Sequence, residues 1–119
     1  MSSEDQQADQ PLVERRRFPR YKVAVPVELH PEGSTVPLHT QTADLSLGGC
    51  YIETNLALAA GAKLAMVLWV EDEKLTTDAV VKTRDLAFGN GICFLNMSAE
   101  HQARLKKYLD TLEQQAGLP

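Results

Sequence analysis

The chain has 119 residues, of which 12 are Lys or Arg and 16 are Asp or Glu, giving a formal net charge of −4. That length encloses one modest hydrophobic core, so a single domain is expected. An acidic total argues against a general nucleic-acid binder, and no apolar stretch nears the roughly 20 residues of a membrane helix.

In chain order, Met1 to Val13 is polar and acidic, with no basic start and no apolar segment. It reads as a disordered arm and not as a signal peptide, which makes the cytoplasm the expected compartment. The domain is expected over residues 15–113, between an arm of residues 1–14 and a tail of residues 114–119. A basic linker opens it: Arg15, Arg16, Arg17, Arg20 and Lys22 put five positive charges into eight residues. A local basic strip on an acidic protein suits a small anionic ligand better than a long polyanion.

Val23, Val25, Val27 and Leu29 alternate with Lys22, Ala24, Pro26 and Glu28, the period of a strand with one buried face. Pro26 on the outward phase predicts an exposed edge, because proline donates no ladder hydrogen bond. Pro31 to Ser34 is turn chemistry. Thr35 to Ala43, Cys50 to Thr54, Lys63 to Val70, Leu75 to Arg84 and Gly91 to Leu95 read as further strands, with a charged turn at Glu71 to Lys74. Trp69, inside the apolar run Leu64 to Val70, is expected in the core. Ser98 is the expected N-cap of a helix, with Glu100 in its first turn. Leu105, Leu109 and Leu112 then recur at helical spacing, and Gly117 and Pro119 end the segment. Short strands at near-regular spacing predict a mainly β fold, an antiparallel barrel with one C-terminal helix over its open side. Cys50 and Cys93 read as small buried hydrophobes. His30, His39 and His101 are scattered, so no metal site is expected.

Two short motifs carry chemistry. Arg16-Arg17-Phe18-Pro19-Arg20 matches RxxxR. Each guanidinium is a planar fork of donors that grips phosphate oxygens or the O6/N7 edge of guanine, and it can stack on a base. Pro19 discourages a helix through Phe18, so the arginines should fan from an extended linker. Alone, the run could equally be a solvated basic segment. Asp44-Leu45-Ser46-Leu47-Gly48-Gly49 matches DxSxxG. If Asp44 to Ser46 is extended, the carboxylate and the hydroxyl share a face and can accept from the N1–H and N2–H₂ edge of guanine. Gly48 and Gly49 would turn the chain through φ > 0 and let a ligand approach the backbone. Alone, this run could equally be an Asx/Ser turn closing a hairpin.

The two motifs in this order, with an alternating strand between them, resemble the PilZ domain family. The resemblance covers roughly Arg15 to Leu112 and includes Gly91 to Leu95 followed by Ser98 and the amphipathic helix. It implies a six-stranded antiparallel barrel with a C-terminal helix and a site for the second messenger cyclic di-GMP on the outer barrel surface. The implied contacts are Arg16 and Arg20 to phosphate and guanine, and Asp44 and Ser46 to guanine, with Gly48 and Gly49 shaping the turn. Arg15, next to the motif, implies a stacked pair of cyclic di-GMP molecules per chain, to which Arg17 would add charge. Lys82 departs from the family, many of whose members carry an aromatic in that strand, and so puts a stacking contact there in doubt. The implied function is a receptor whose linker is ordered by ligand and which regulates an unidentified protein partner. No further cofactor, no DNA or RNA and no membrane insertion are expected.

Three other classes stand beside this one. A PilZ-fold adaptor would work by protein contact and ignore the nucleotide; adaptors of that kind generally lack the motifs retained here. An oligonucleotide-binding barrel needs aromatics interleaved with basic residues on its strands, against an aromatic content of 6%. An enzyme needs a nucleophile–base pair, a metal set or a phosphate-cradling glycine loop, and the sequence offers none of these.

Overall fold

Alternation along the chain produces strands whose inward residues share one core. The computed structural model describes residues 18–54, 58–85 and 88–116. The arm expected over Met1 to Val13 and the helix stop expected at Gly117 and Pro119 lie outside these residues. The elements are β1 (Pro26–Pro31), β2 (Leu38–Leu45), β3 (Gly49–Ile52), β4 (Lys63–Val70), β5 (Glu73–Asp85), β6 (Gly89–Leu95) and α1 (Ala99–Ala116). The strands close into a barrel in the order β1-β2-β3-β6-β5-β4, with every pairing antiparallel. This is the six-stranded barrel with a C-terminal helix that the sequence led us to expect.

Leu29, Leu45, Ile52, Met66, Leu68 and Leu75 fill the interior, each less than 2% exposed. Full burial of such a side chain contributes about 1.5–3 kcal/mol. Leu105 and Leu109 of α1 join the same core, and Leu112 packs against it. The helix starts where its cap is expected: the Ser98 hydroxyl accepts from the His101 N–H at 3.1 Å. None of its described length is apolar enough to cross a membrane.

Three expectations need correction. Trp69 is 42% exposed. Leu64, Met66, Leu68 and Val70 take the inward phase of β4, so Trp69 faces out, with the Lys74 ammonium 5.8 Å from its ring centroid. The uninterrupted apolar run concealed that inward phase, which is interrupted only by Val67, buried on the outward side. Pro26 marks no free edge, since β1 pairs with both β2 and β4. Proline is tolerated there because it is the first residue of the strand. Finally, Val23 to Val25 precedes the regular ladder. The Thr42 hydroxyl accepts from the Val25 N–H at 2.9 Å and donates to the Val23 carbonyl, so a side chain satisfies backbone that a strand partner would otherwise pair.

Candidate functional site

The site grows from one bridge. Tyr21 pairs antiparallel with Leu45: the Tyr21 N–H donates to the Leu45 carbonyl and the Leu45 N–H to the Tyr21 carbonyl, both at 2.9 Å. Continuing that register by one residue sets Arg20 opposite Ser46 and Lys22 opposite Asp44. The last arginine of RxxxR is thereby brought beside DxSxxG. Arg20 is exposed and Asp44 half-buried. No hydrogen-bond or ion-pair partner engages the Asp44 carboxylate among the described residues. Arg15, Arg16 and Arg17 lie outside the described residues.

Asp44 faces outward because β2 is irregular just before it. The ladder with β3 runs Thr42 to Ile52, then Asp44 to Tyr51, with a register shift between them. That bulge turns Thr42 and Leu45 both inward, at 2% and 0% exposure, and leaves the carboxylate between them on the outside.

Ser46 lies beyond the end of β2, so strand alternation with Asp44 does not govern it. Its side chain is only 8% exposed. The hydroxyl accepts from the Gly48 and Gly49 N–H groups, each at 3.1 Å, and donates to the Gly49 carbonyl at 3.2 Å. One donor and two lone pairs are the whole capacity of a hydroxyl. In this conformation Ser46 closes the turn and has nothing left to offer a base.

The glycines serve space and not conformation. Neither Gly48 nor Gly49 has positive φ, unlike Gly33, Gly61 and Gly89. A Cβ on Gly49 would lie 2.1 Å from the Ile92 carbonyl oxygen, because β3 and β6 run backbone against backbone there. A Cβ on Gly48 would lie 2.7 Å from Cδ2 of Phe18. The aromatic inside RxxxR therefore rests on the DxSxxG turn. Sequence reasoning gave Phe18 no such role, although an apolar residue within a basic linker is itself a signal of docking.

Tyr21 reaches the other way. Its hydroxyl donates to Glu113 of α1 at 2.7 Å, and that carboxylate raises the phenol's pKa. The first residue after the arginine motif thus touches the last turns of the C-terminal helix.

Farther along the outer face, Tyr51 of β3 stands opposite Asp44 on one side and Gly91 on the other. Its hydroxyl donates to Asp85 at 2.8 Å. Desolvation and then that hydrogen bond push its pKa up to about 12. An open hollow of about 730 Å³ lies here, lined by Tyr51, Glu53, Arg84, Asp85 and Phe88. Outward phase at Tyr51, between buried Cys50 and Ile52, was the available sequence signal. Lys82 is exposed at a second register shift, between Val81 and Thr83. Among the described residues no group of three or more His, Cys, Asp or Glu is placed to hold a metal ion. Cys50 and Cys93 are both free thiols, Cys50 buried and Cys93 partly so.

The sequence profile of the PilZ domain family matches residues 14–111. Among curated protein sequences none matches. Of the solved structures, the PilZ domain of YcgR from Escherichia coli, determined with c-di-GMP, is 20% identical, with a TM-score of 0.70 over 86% of this chain and 94% of that one. The inhibitor of motility MotI/DgrA from Bacillus subtilis is 18% identical, with a TM-score of 0.71 over 85% of this chain and 52% of that one. This chain therefore spans about half the length of that protein. The PilZ domain of CeSA from a cellulose-synthesizing bacterium is 16% identical, with a TM-score of 0.64 over 80% of this chain and 98% of that one.

Proposed function

Because the chain belongs to the PilZ domain family, we propose that it is a cytoplasmic receptor for cyclic di-GMP, acting by binding and not by catalysis, that changes conformation and regulates a protein partner. The observation that carries this reading is the Tyr21–Leu45 bridge, whose register sets Arg20 opposite Ser46 in the DxSxxG turn, on the segment that also carries the outward carboxylate of Asp44. The two motifs thereby bring a donor for phosphate and an acceptor for the guanine N1–H and N2–H₂ edge onto paired segments. The likeness to a PilZ domain determined with c-di-GMP supports the ligand class. MrkH, a c-di-GMP-dependent transcription regulatory factor, has a similar fold, with a TM-score of 0.68.

Arg16 and Arg20 take phosphate and the guanine O6/N7 edge, and Asp44 takes the opposite edge. Ser46, Gly48 and Gly49 hold the turn in shape. Arg15 and Arg17 bring the arginines to four, matching the four negative charges of two stacked ligand molecules, so two cyclic di-GMP bind per chain. Ligand drawn between the linker and the turn competes with Phe18 for Gly48, and the linker reorganises as a result.

Calorimetric titration tests each part. The expected endpoint is two ligands per chain, falling toward one in Arg15→Leu. An endpoint of one in the wild type overturns the stacked pair and leaves the receptor. No binding overturns the receptor and favours the nucleotide-independent adaptor, a reading that the fully engaged Ser46 hydroxyl would suit.

A further inference from the structure

Beyond Asp44 the outer sheet face carries groups that neither motif uses. A row of outward positions runs from Asp44 through Tyr51 and Gly91 to Thr83 of β5. A Cβ on Gly91 would lie 2.6 Å from Thr83 Oγ1 and 3.9 Å from Tyr51 Cδ1. Glycine therefore lets those two side chains lean over the backbone. The Tyr51–Asp85 hydrogen bond fixes the tyrosine ring along the wall of the hollow.

Two charges and one aromatic remain uncommitted there. Neither the Arg84 guanidinium nor the Glu53 carboxylate has a hydrogen-bond or ion-pair partner among the described residues. Phe88 is 71% exposed, the most exposed of the large hydrophobics among the described residues. A free aromatic face, a fork of donors and a lone acceptor are the three things a guanine base uses: a stacking surface, a partner for O6 and N7, and a partner for N1–H and N2–H₂. Adenine matches less well, since it offers a donor at N6 where guanine has O6 and carries no N2–H₂.

We propose that this hollow is a guanine subsite continuous with the Asp44 site, with Phe88 stacking on the base, Arg84 reading O6 and N7, and Glu53 accepting from N1–H and N2–H₂. The proposal rests on the receptor reading: one base of the ligand pair sits at Asp44 and another in the hollow. It also gives the chain an aromatic contact that Lys82 cannot supply.

Two probes separate the subsite from the receptor: cyclic di-GMP and 5′-GMP, each followed by backbone amide shifts and calorimetry. Phe88→Ala and Arg84→Ala alter exposed side chains, and equal melting temperatures will confirm their fold. Both probes are expected to move the Gly89 and Asn90 amides. Each variant is expected to weaken cyclic di-GMP binding by about 5- to 150-fold, the range for loss of a stacked base. Undiminished binding by both variants overturns the subsite and leaves the receptor standing. If cyclic di-GMP fails to bind but 5′-GMP still moves these amides, the receptor reading falls and the subsite stands alone. If neither probe moves them, the subsite is overturned.

Discussion

Arg20 is exposed and Asp44 carries no partner among the described residues, so neither is committed to holding the fold. Their removal should therefore register in binding and scarcely in stability. Charged hydrogen bonds are worth about 1.5–3 kcal/mol, so Arg16→Ala and Arg20→Ala should each weaken cyclic di-GMP binding roughly 10- to 150-fold. Titration beside a thermal melt checks this, and undiminished binding by both would remove the arginines from the site. Asp44→Ala should do something different in kind. Only guanine offers the N1–H and N2–H₂ pair to a carboxylate, so the variant should lose preference as well as affinity. Competition between cyclic di-GMP and cyclic di-AMP measures that preference. Equal binding of the two by the wild type would show that Asp44 does not select guanine.

At the level of elements, the turn between β2 and β3 depends on one hydroxyl. Ser46→Ala takes the acceptor from the Gly48 and Gly49 N–H groups in a half-buried turn, while the Gly49 carbonyl keeps the Ser46 N–H at 2.8 Å; the loss is about 1–3 kcal/mol for an unmade buried hydrogen bond. The melting temperature should fall, and the Gly48 and Gly49 amides should exchange faster with solvent. Unchanged exchange would mean that the turn is held by its backbone alone. The strands and the helix were legible in the sequence because one buried face writes a period of two and an amphipathic helix a period near 3.6. Ser98, Leu105 and Leu109 sit where that pattern put them. What escaped were features set by a neighbour and not by the local run. Trp69 shares a run with inward residues but takes the outward phase. The Ser46 hydroxyl is consumed by its own turn. Gly49 is glycine because the Ile92 carbonyl crowds it, a fact that lies 43 positions away. The Phe18 contact with Gly48 escaped for the same reason.

The molecule as a whole closes its sheet, and closure buries the Cys50 thiol alongside apolar groups while leaving Tyr51 half-buried on the outer face. Burial pushes the Cys50 thiol from 9.0 up to about 12, with Asp44 adding to it, and desolvation takes Tyr51 from 10.0 to about 12. Both folded-state values stand above the unfolded ones, so the fold favours the neutral forms. The stability they contribute is complete below pH 9.0 and is lost as the pH climbs toward about 12. Thermal melts along an alkaline series should show a falling limb over that window. Cys50→Ala, compared with its own value at neutral pH, should begin to fall later. A flat profile across the window would contradict the burial of Cys50 and the partial desolvation and Asp85 hydrogen bond that hold Tyr51 neutral. The same closure leaves ligand contacts to side chains and to the linker, and the linker is anchored at Tyr21 by its two hydrogen bonds to Leu45. Arg16 stands five residues before that anchor, so its backbone stays within about 17 Å of it whatever path the chain takes. On the proposed receptor reading, a nucleotide held at Arg20 and Asp44 would therefore meet Arg16 at an effective concentration in the millimolar range. Such a grip would be a chelate: each later contact would be a unimolecular event, escape would need all of them released together, and the tether length would set how long the messenger stays.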